Sequence, residues 1–87
     1  MIKAWTDAAW EDYTYWQRED KKILKRINTI LKDIDRNGYE GMGKPERLSG
    51  DLSAYWSRRI DDKNRIVYRI EKDIIKIVQC GSHYRDK

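Results

Sequence analysis

The chain has 87 residues, enough for one small domain with one hydrophobic core. Charged residues make up 39% of it and the mean hydropathy is −0.99, but four Trp and six Tyr favour folding because each ring can bury about 150–250 Å². No apolar run approaches the roughly 18 residues of a membrane span, and the first residues lack a signal-peptide pattern. Because Cys80 is the only cysteine, an intrachain disulfide and a CxxC metal site are excluded. We therefore expect a single domain over residues 1–87, in the cytoplasm, with no membrane contact and no bound metal.

The positive charge is unevenly distributed along the sequence. Residues 1–41 contain eight Lys or Arg and eight Asp or Glu, whereas residues 42–87 contain eleven and seven. The whole net charge of +4 therefore falls in the second part of the chain. A basic surface on a small domain favours a polyanionic partner such as nucleic acid, although an ordinary soluble surface can also be basic.

Two helices are predicted near the N-terminus, after a short strand over residues 2–5. Thr6 or Asp7 is a suitable cap for a helix over residues 8–17, and Asp20 caps a second helix that runs to about Arg36. The second helix has the strongest pattern, with Ile at positions i, i+4, i+7 and i+11. Asn37-Gly38 is a typical helix end.

Short β-branched and aromatic segments follow a polar, Gly-rich loop at residues 37–51. The segments are residues 54–60, 65–71 and 74–80, with a further short strand near residues 46–49. Such closely spaced runs predict an antiparallel meander. The fold class is therefore α+β, in the order β-α-α-β-β-β, with an antiparallel-type sheet packed against two N-terminal helices.

Several polar residues are candidates for chemistry. Gly41-Met42-Gly43-Lys44 lacks the spacing and the strand-to-helix context of a phosphate loop, so we reject nucleotide binding. Arg65 and Arg69 project to the same face of one predicted strand, where they would suit phosphate oxygens. Whether Arg59 shares that face depends on the hairpin register, and a solvated, ion-paired surface is the alternative.

The remaining candidates also have ordinary interpretations. His83 is the only histidine and would ordinarily be an idle surface residue, and Glu46 follows Pro45 in a loop, where functional residues concentrate. Tyr55, Tyr68 and Tyr84 alternate with arginines and could stack on bases.

The strings WEDYTYWQREDKK, GKPERL, LSAYWSRRI, NRIVYRI and HYR occur in this order. Together they make the chain resemble the YoeB toxins of the Txe/YoeB family, within the RelE-like superfamily of toxin–antitoxin systems. The resemblance implies a RelE-like fold and a ribosome-dependent endoribonuclease that cleaves mRNA in the ribosomal A site and inhibits translation. It also implies a YefM-like antitoxin partner and no cofactor. Either a homodimer or a toxin–antitoxin hetero-oligomer is compatible with it, and operator DNA would be contacted only through the antitoxin complex.

The resemblance also assigns roles to individual residues. It implies Glu46 as general base, His83 as general acid, Arg65 as phosphate clamp and Tyr84 as a positioning or stacking residue. Arg59, Lys44, Arg47 and Arg69 are the expected RNA- or phosphate-binding residues. Many relatives carry Lys where this chain has Ser49, and Arg47 is the cation that could substitute for it.

Two other functions share parts of this pattern. ParE-like toxins have the same fold but bind DNA gyrase and are not ribonucleases, and a passive RNA-binding module would need no catalytic groups. The joint presence of Glu46, Arg65, His83 and Tyr84 favours the nuclease, because neither alternative needs a base and an acid.

Overall fold

The computed structural model describes residues 1–82. In chain order its elements are β1 (Ile2–Trp5), α1 (Asp7–Glu19), α2 (Lys21–Asn37), β2 (Glu46–Arg47), a 3-10 turn (Gly50–Leu52), β3 (Trp56–Arg59), β4 (Arg65–Glu71) and β5 (Ile74–Gly81). The predicted order of strand, two helices and meander is confirmed, and the short strand at Glu46 is a separate element. Within residues 1–82, neither helix has the length and apolar content of a membrane-crossing segment.

Side-chain and backbone caps set the ends of the helices as the sequence predicts. The Thr6 hydroxyl accepts a hydrogen bond from the Ala9 N–H at 3.1 Å. The Asp20 carboxylate accepts from two N–H groups in the first turn of α2. Gly38, with φ of 65°, ends α2 in a conformation that favours glycine.

The sheet has the strand order β1-β5-β4-β3-β2. All neighbouring strands are antiparallel except β1, which pairs parallel to β5. The sheet is therefore mixed rather than purely antiparallel. The sequence pattern contains no signal for this orientation, because β1 meets β5 only after both helices and the whole meander have intervened.

Both helices cover one face of the sheet and form the core with it. The buried apolar residues include Ala9 of α1, Ile27, Ile30 and Ile34 of α2, and Ile66, Tyr68, Ile75 and Ile77 of the sheet. Since strand residues alternate between faces, their neighbours project to the face away from the helices. The candidate residues Glu46, Arg59, Arg65 and Arg69 lie on that second face.

Candidate active site

Strand register brings the predicted base and cations together. Arg59 pairs directly with Arg65 across β3 and β4, and Glu46 pairs with Ser57 across β2 and β3. Directly paired residues project to the same face. Arg59 therefore does share a face with Arg65, a question that the sequence leaves open.

Glu46 and Arg65 form the centre of this candidate site. The Arg65 Nη1 atom lies 3.8 Å from Glu46 Oε1 and donates a hydrogen bond of 3.1 Å to the Ser57 hydroxyl. The Glu46 side chain is 67% exposed, whereas that of Arg65 is 28% exposed. An accessible carboxylate thus stands beside a cation held in place by a buried serine, an arrangement that can accept a proton and bind an anion at neighbouring points.

Arg69 and Tyr55 lie further along the same face. Arg69 is four residues from Arg65 on one strand, about 13 Å away at the usual strand rise, and its guanidinium lies 5.5 Å from the centre of the Tyr55 ring. Arg69 also lies 3.3 Å from Glu71, a carboxylate whose pKa is lowered mainly by its hydrogen bond with Lys76. The Arg69 Nε atom is buried and has no hydrogen-bond partner among the described residues.

Not every predicted binding residue lies beside Glu46. Arg47 pairs with Trp56 rather than Ser57, so it points to the opposite side of β2, and its Nε donates to the Ser53 carbonyl at 2.8 Å. Lys44 is exposed and has a positive φ of 51°. Tyr68 is fully buried, so the interpretation that it stacks on bases is wrong.

The predicted residues His83 and Tyr84 lie outside the described residues. The strand that leads to them is fixed by α1, because the Asp12 carboxylate accepts from the Cys80 N–H at 3.0 Å and the Trp16 indole donates to the Cys80 carbonyl at 2.8 Å. Sequence reasoning missed this role of Asp12. The available signal was an acidic residue on the same helical face as Ala9 and Trp16.

Arg58 is the other residue that sequence reasoning did not place. It adjoins Arg59 on β3 but faces the helices, and its side chain is fully buried. Its Nη1 donates to the Asp33 carboxylate at 2.5 Å and to the Met42 carbonyl at 3.0 Å. Its Nη2 donates to the carbonyls of residues 38 and 40, and its Nε to the Tyr68 hydroxyl. All three guanidinium nitrogens are therefore hydrogen-bonded, through five bonds in all.

The glycine-rich loop owes its shape to this buried cation. A Cβ at Gly41, whose φ is 120°, would overlap the Asp33 carboxylate, and one at Gly43 would lie 2.9 Å from the Arg59 carbonyl. The Gly43 carbonyl in turn accepts from the Arg59 N–H at 2.6 Å. The glycines therefore allow the loop to wrap around Arg58 and to lead into β2, which begins at Glu46.

Two pKa values reflect this arrangement. The hydrogen bond from Arg58 lowers the pKa of Asp33 below its usual range. Burial raises the pKa of Tyr68, whose hydroxyl accepts from Arg58 and donates to the Gly38 carbonyl. Both shifts favour the charge states in which the hydrogen bonds around Arg58 are complete.

Comparison with known proteins identifies the family. A family model described as "YoeB-like toxin of bacterial type II toxin-antitoxin system" matches residues 5–84. The chain belongs to the YoeB family.

Relatives and solved structures agree over nearly full length. The toxin YoeB of Streptomyces coelicolor is 52% identical, over 97% of this chain and all of the relative. A YoeB–YefM complex from Staphylococcus aureus matches with a TM-score of 0.91 and 47% identity, covering 97% of this chain and 98% of that one. A YoeB dimer from the same organism matches with a TM-score of 0.90 and 48% identity, at the same coverage. The RelE-like fold implied by the sequence is thereby confirmed.

Ser49 is the position at which the resemblance implies a Lys in many relatives. Ser49 is exposed, follows β2 by two residues and precedes the 3-10 turn. Its side chain forms no capping hydrogen bond with that turn. Within residues 1–82, no three His, Cys, Asp or Glu side chains are grouped to hold a metal ion.

The first prediction concerns Arg58. Arg58→Lys should lower the free energy of unfolding by about 3 kcal/mol, because a lysine head group cannot reach this set of acceptors and leaves the buried polar groups unpaired. Arg59→Lys is the matched control on the adjacent, exposed residue and should change it by less than about 0.5 kcal/mol. Urea unfolding followed by circular dichroism measures both. Equal effects of the two variants would show that Arg58 is not the structural cation.

The second prediction concerns pH. Because the pKa of Asp33 is lowered in the folded protein, its stabilising contribution is present above the ordinary Asp pKa of about 3.9 and is lost as the pH falls further. Asp33→Asn should therefore reduce stability at neutral pH and make its decline below about pH 4 shallower. Asp62→Asn, in an exposed turn, is the control. Parallel pH curves for wild type and Asp33→Asn, measured by urea unfolding, would contradict this account.

Proposed function

We propose that the protein is an endoribonuclease toxin that cleaves mRNA in the A site of the ribosome and so inhibits translation. The observation that carries the proposal is the placement of the exposed Glu46 carboxylate 3.8 Å from the Arg65 guanidinium, with Arg59 paired beside Arg65. RNA supplies its own nucleophile, the 2′-hydroxyl. A glutamate is ionised at neutral pH and can take the proton of that hydroxyl.

The proposed reaction is a transesterification. Glu46 removes the 2′-hydroxyl proton, the 2′-oxygen forms a bond to the adjacent phosphorus, and the bond from phosphorus to the 5′-oxygen breaks. His83 donates a proton to the departing 5′-oxygen, which leaves a 2′,3′-cyclic phosphate on the other fragment. Arg65 and Arg59 offset the charge that develops on the phosphate oxygens. The scheme uses protein groups alone and calls for no cofactor and no metal ion in the chemical step.

The end of β5, which precedes His83 in the sequence, lies beside Arg65. Arg65 pairs with Gly81 at the end of β5, and His83 is two residues further along the sequence. We propose His83 as the general acid because of the family resemblance carried by the HYR motif. Tyr84, the next residue, is proposed to position or stack on the RNA.

The other cations extend the proposed RNA surface. Arg69, with Tyr55 beside it, suits a neighbouring phosphate and base about 13 Å along the strand. Lys44 precedes Glu46 by two residues and is exposed, so it remains a proposed phosphate ligand. Arg47 would have to release the Ser53 carbonyl before it could act in this way.

A YefM-like antitoxin is the proposed partner. The Staphylococcus aureus relative has been solved with YefM, and a basic face is a natural target for an acidic segment that orders on binding. A homodimer, as in the solved dimer from that organism, or a toxin–antitoxin hetero-oligomer is the proposed assembly. The protein would act in the cytoplasm, where the ribosomes are, and would contact operator DNA only through the antitoxin.

The deciding experiment is mRNA cleavage in a purified translation system, mapped by primer extension with and without ribosomes. We expect cuts within the A-site codon only when ribosomes are present, and a 2′,3′-cyclic phosphate on the product. Glu46→Gln and His83→Gln should each slow single-turnover cleavage by about 100-fold or more. Glu19→Gln, at the exposed end of α1, should cleave normally.

The same experiment can refute the proposal. Folded protein that cleaves nothing in either condition would favour a ParE-like gyrase binder or a passive RNA-binding module. A Glu46→Gln or His83→Gln variant with an unchanged single-turnover rate would remove that residue from its assigned role.

Antitoxin binding provides a further prediction. If the acidic partner docks on the basic face of the sheet, its association rate should fall at least 10-fold between about 0.05 M and 0.5 M salt, because screening suppresses electrostatic steering. Stopped-flow fluorescence measures this rate. A rate independent of salt would exclude electrostatic docking.

A further inference from the structure

The solvent side of α2 carries a basic stripe of six cations. Its cations are Lys21, Lys22, Lys25, Arg26, Lys32 and Arg36. Lys22, Lys25, Lys32 and Arg36 follow one another at intervals of three, seven and four residues, which places them on one face of a helix. The opposite face, which carries Ile27, Ile30 and Ile34, is buried in the core. Five of the six cations are exposed, and Arg26 is half-buried.

The helix's own acids do not neutralise this stripe. Asp33 is bound to the buried Arg58. Asp35 lies 3.5 Å from the N-terminal ammonium group of Met1 and 3.4 Å from Lys3. None of the six stripe cations forms an ion pair with a carboxylate in the part of the chain that the structure describes.

The net charge of α2 is as large as that of the whole protein. The helix holds six cationic and two anionic residues, a net charge of +4. Removing these from the 19 and 15 of the whole chain leaves 13 of each sign. The apparent neutrality of residues 1–41 therefore conceals a strongly basic helix, balanced by acidic residues elsewhere in that segment.

We propose that this stripe, on the helix layer and away from the Glu46–Arg65 site, docks the sugar-phosphate backbone of a double-helical RNA segment of the ribosome. From Lys22 to Arg36 the helix rises about 21 Å. Lys22 and Lys25 are neighbours about 5–6 Å apart, as are Lys32 and Arg36. The step from Lys25 to Lys32 is about 10 Å, so the two pairs can contact separate phosphates along a backbone. RNA double helices are recognised mainly through backbone and shape, which needs cations but no apolar pocket. The proposal rests on the proposed function, since it explains how a ribosome-dependent enzyme would be held there.

Two other polyanionic partners fit the stripe less well. A membrane-binding amphipathic helix inserts its apolar face, but that face of α2 is buried against the sheet. An acidic peptide that folds on binding needs apolar anchor points. The solvent side of α2 has none, since the exposed large apolar residues among residues 1–82 are Met1, Ile2, Trp10, Tyr15 and Leu52. The outer face of α2 is basic and lacks exposed apolar side chains, which suits a phosphate backbone better than either alternative.

The test is ribosome binding by a charge-neutralised helix. The protein carries Glu46→Gln throughout, so that binding is measured without cleavage, and the probe is 70S ribosomes programmed with mRNA. The test variant is Lys25→Gln with Lys32→Gln, which preserves helix propensity. The matched control is Arg18→Gln with Lys72→Gln, two exposed cations on other elements with the same loss of charge.

We expect the helix variant to bind ribosomes at least about 10-fold more weakly at 0.1 M salt. The slope of log affinity against log salt should become shallower by about 1.8, since each phosphate contact contributes about 0.9. The control should lose less than about 3-fold. Circular dichroism should show that both variants are folded.

Three outcomes would overturn the proposal. These are equal losses in the two variants, no measurable ribosome affinity of the parent protein, and a helix variant that loses affinity for the antitoxin but not for the ribosome. The last would assign the stripe to an acidic protein partner. Stripe-dependent ribosome binding by a protein that proves unable to cleave mRNA would instead refute the proposed nuclease and leave the docking surface standing.

Discussion

The burial of Arg58 is the interaction on which the candidate site depends. A charged group without water is costly unless its hydrogen bonds are satisfied, and here the three guanidinium nitrogens donate to one carboxylate, one hydroxyl and three loop carbonyls. The loop after α2 has no regular secondary structure to satisfy its own carbonyls. The loop carbonyls therefore satisfy the donors of Arg58, and Arg58 satisfies these carbonyls. This pairing determines the course of the loop that leads to Glu46.

Arg58 and Arg59 show how one step along a strand separates structure from function. Their side chains are chemically identical, but strand alternation places them on opposite faces of the sheet. Arg58 faces the helices and binds the Asp33 carboxylate and the loop carbonyls. Arg59 lies on the exposed face beside Arg65. The guanidinium group of Arg58 already donates its hydrogen bonds to protein acceptors. Only Arg59, on the exposed face, can take up a phosphate group.

Much of the architecture could be predicted from the sequence because it rests on local signals. The Thr6, Asp20 and Gly38 caps and the β-branched runs are read from neighbouring residues, and the motif resemblance placed Glu46 and Arg65 in one site. The roles of Arg58 and Asp12 could not be predicted in this way. Each depends on acceptors or donors far away in the sequence, namely the loop carbonyls and the Cys80 N–H, which are brought near only by the completed fold.

The same reasoning explains why charge counts along the sequence mislead. A segment with no net charge can still present a strongly basic surface. Helical periodicity places the cations of α2 on one side. The two acids of the helix form ion pairs with Arg58 and with the N-terminal residues. Internal ion pairs thus do more than stabilise. By pairing Asp33 and Asp35 with other groups, they leave the cations as the unpaired charges on the outward face of the helix. The interaction that shapes the loop before Glu46 thus also helps to create the second basic surface.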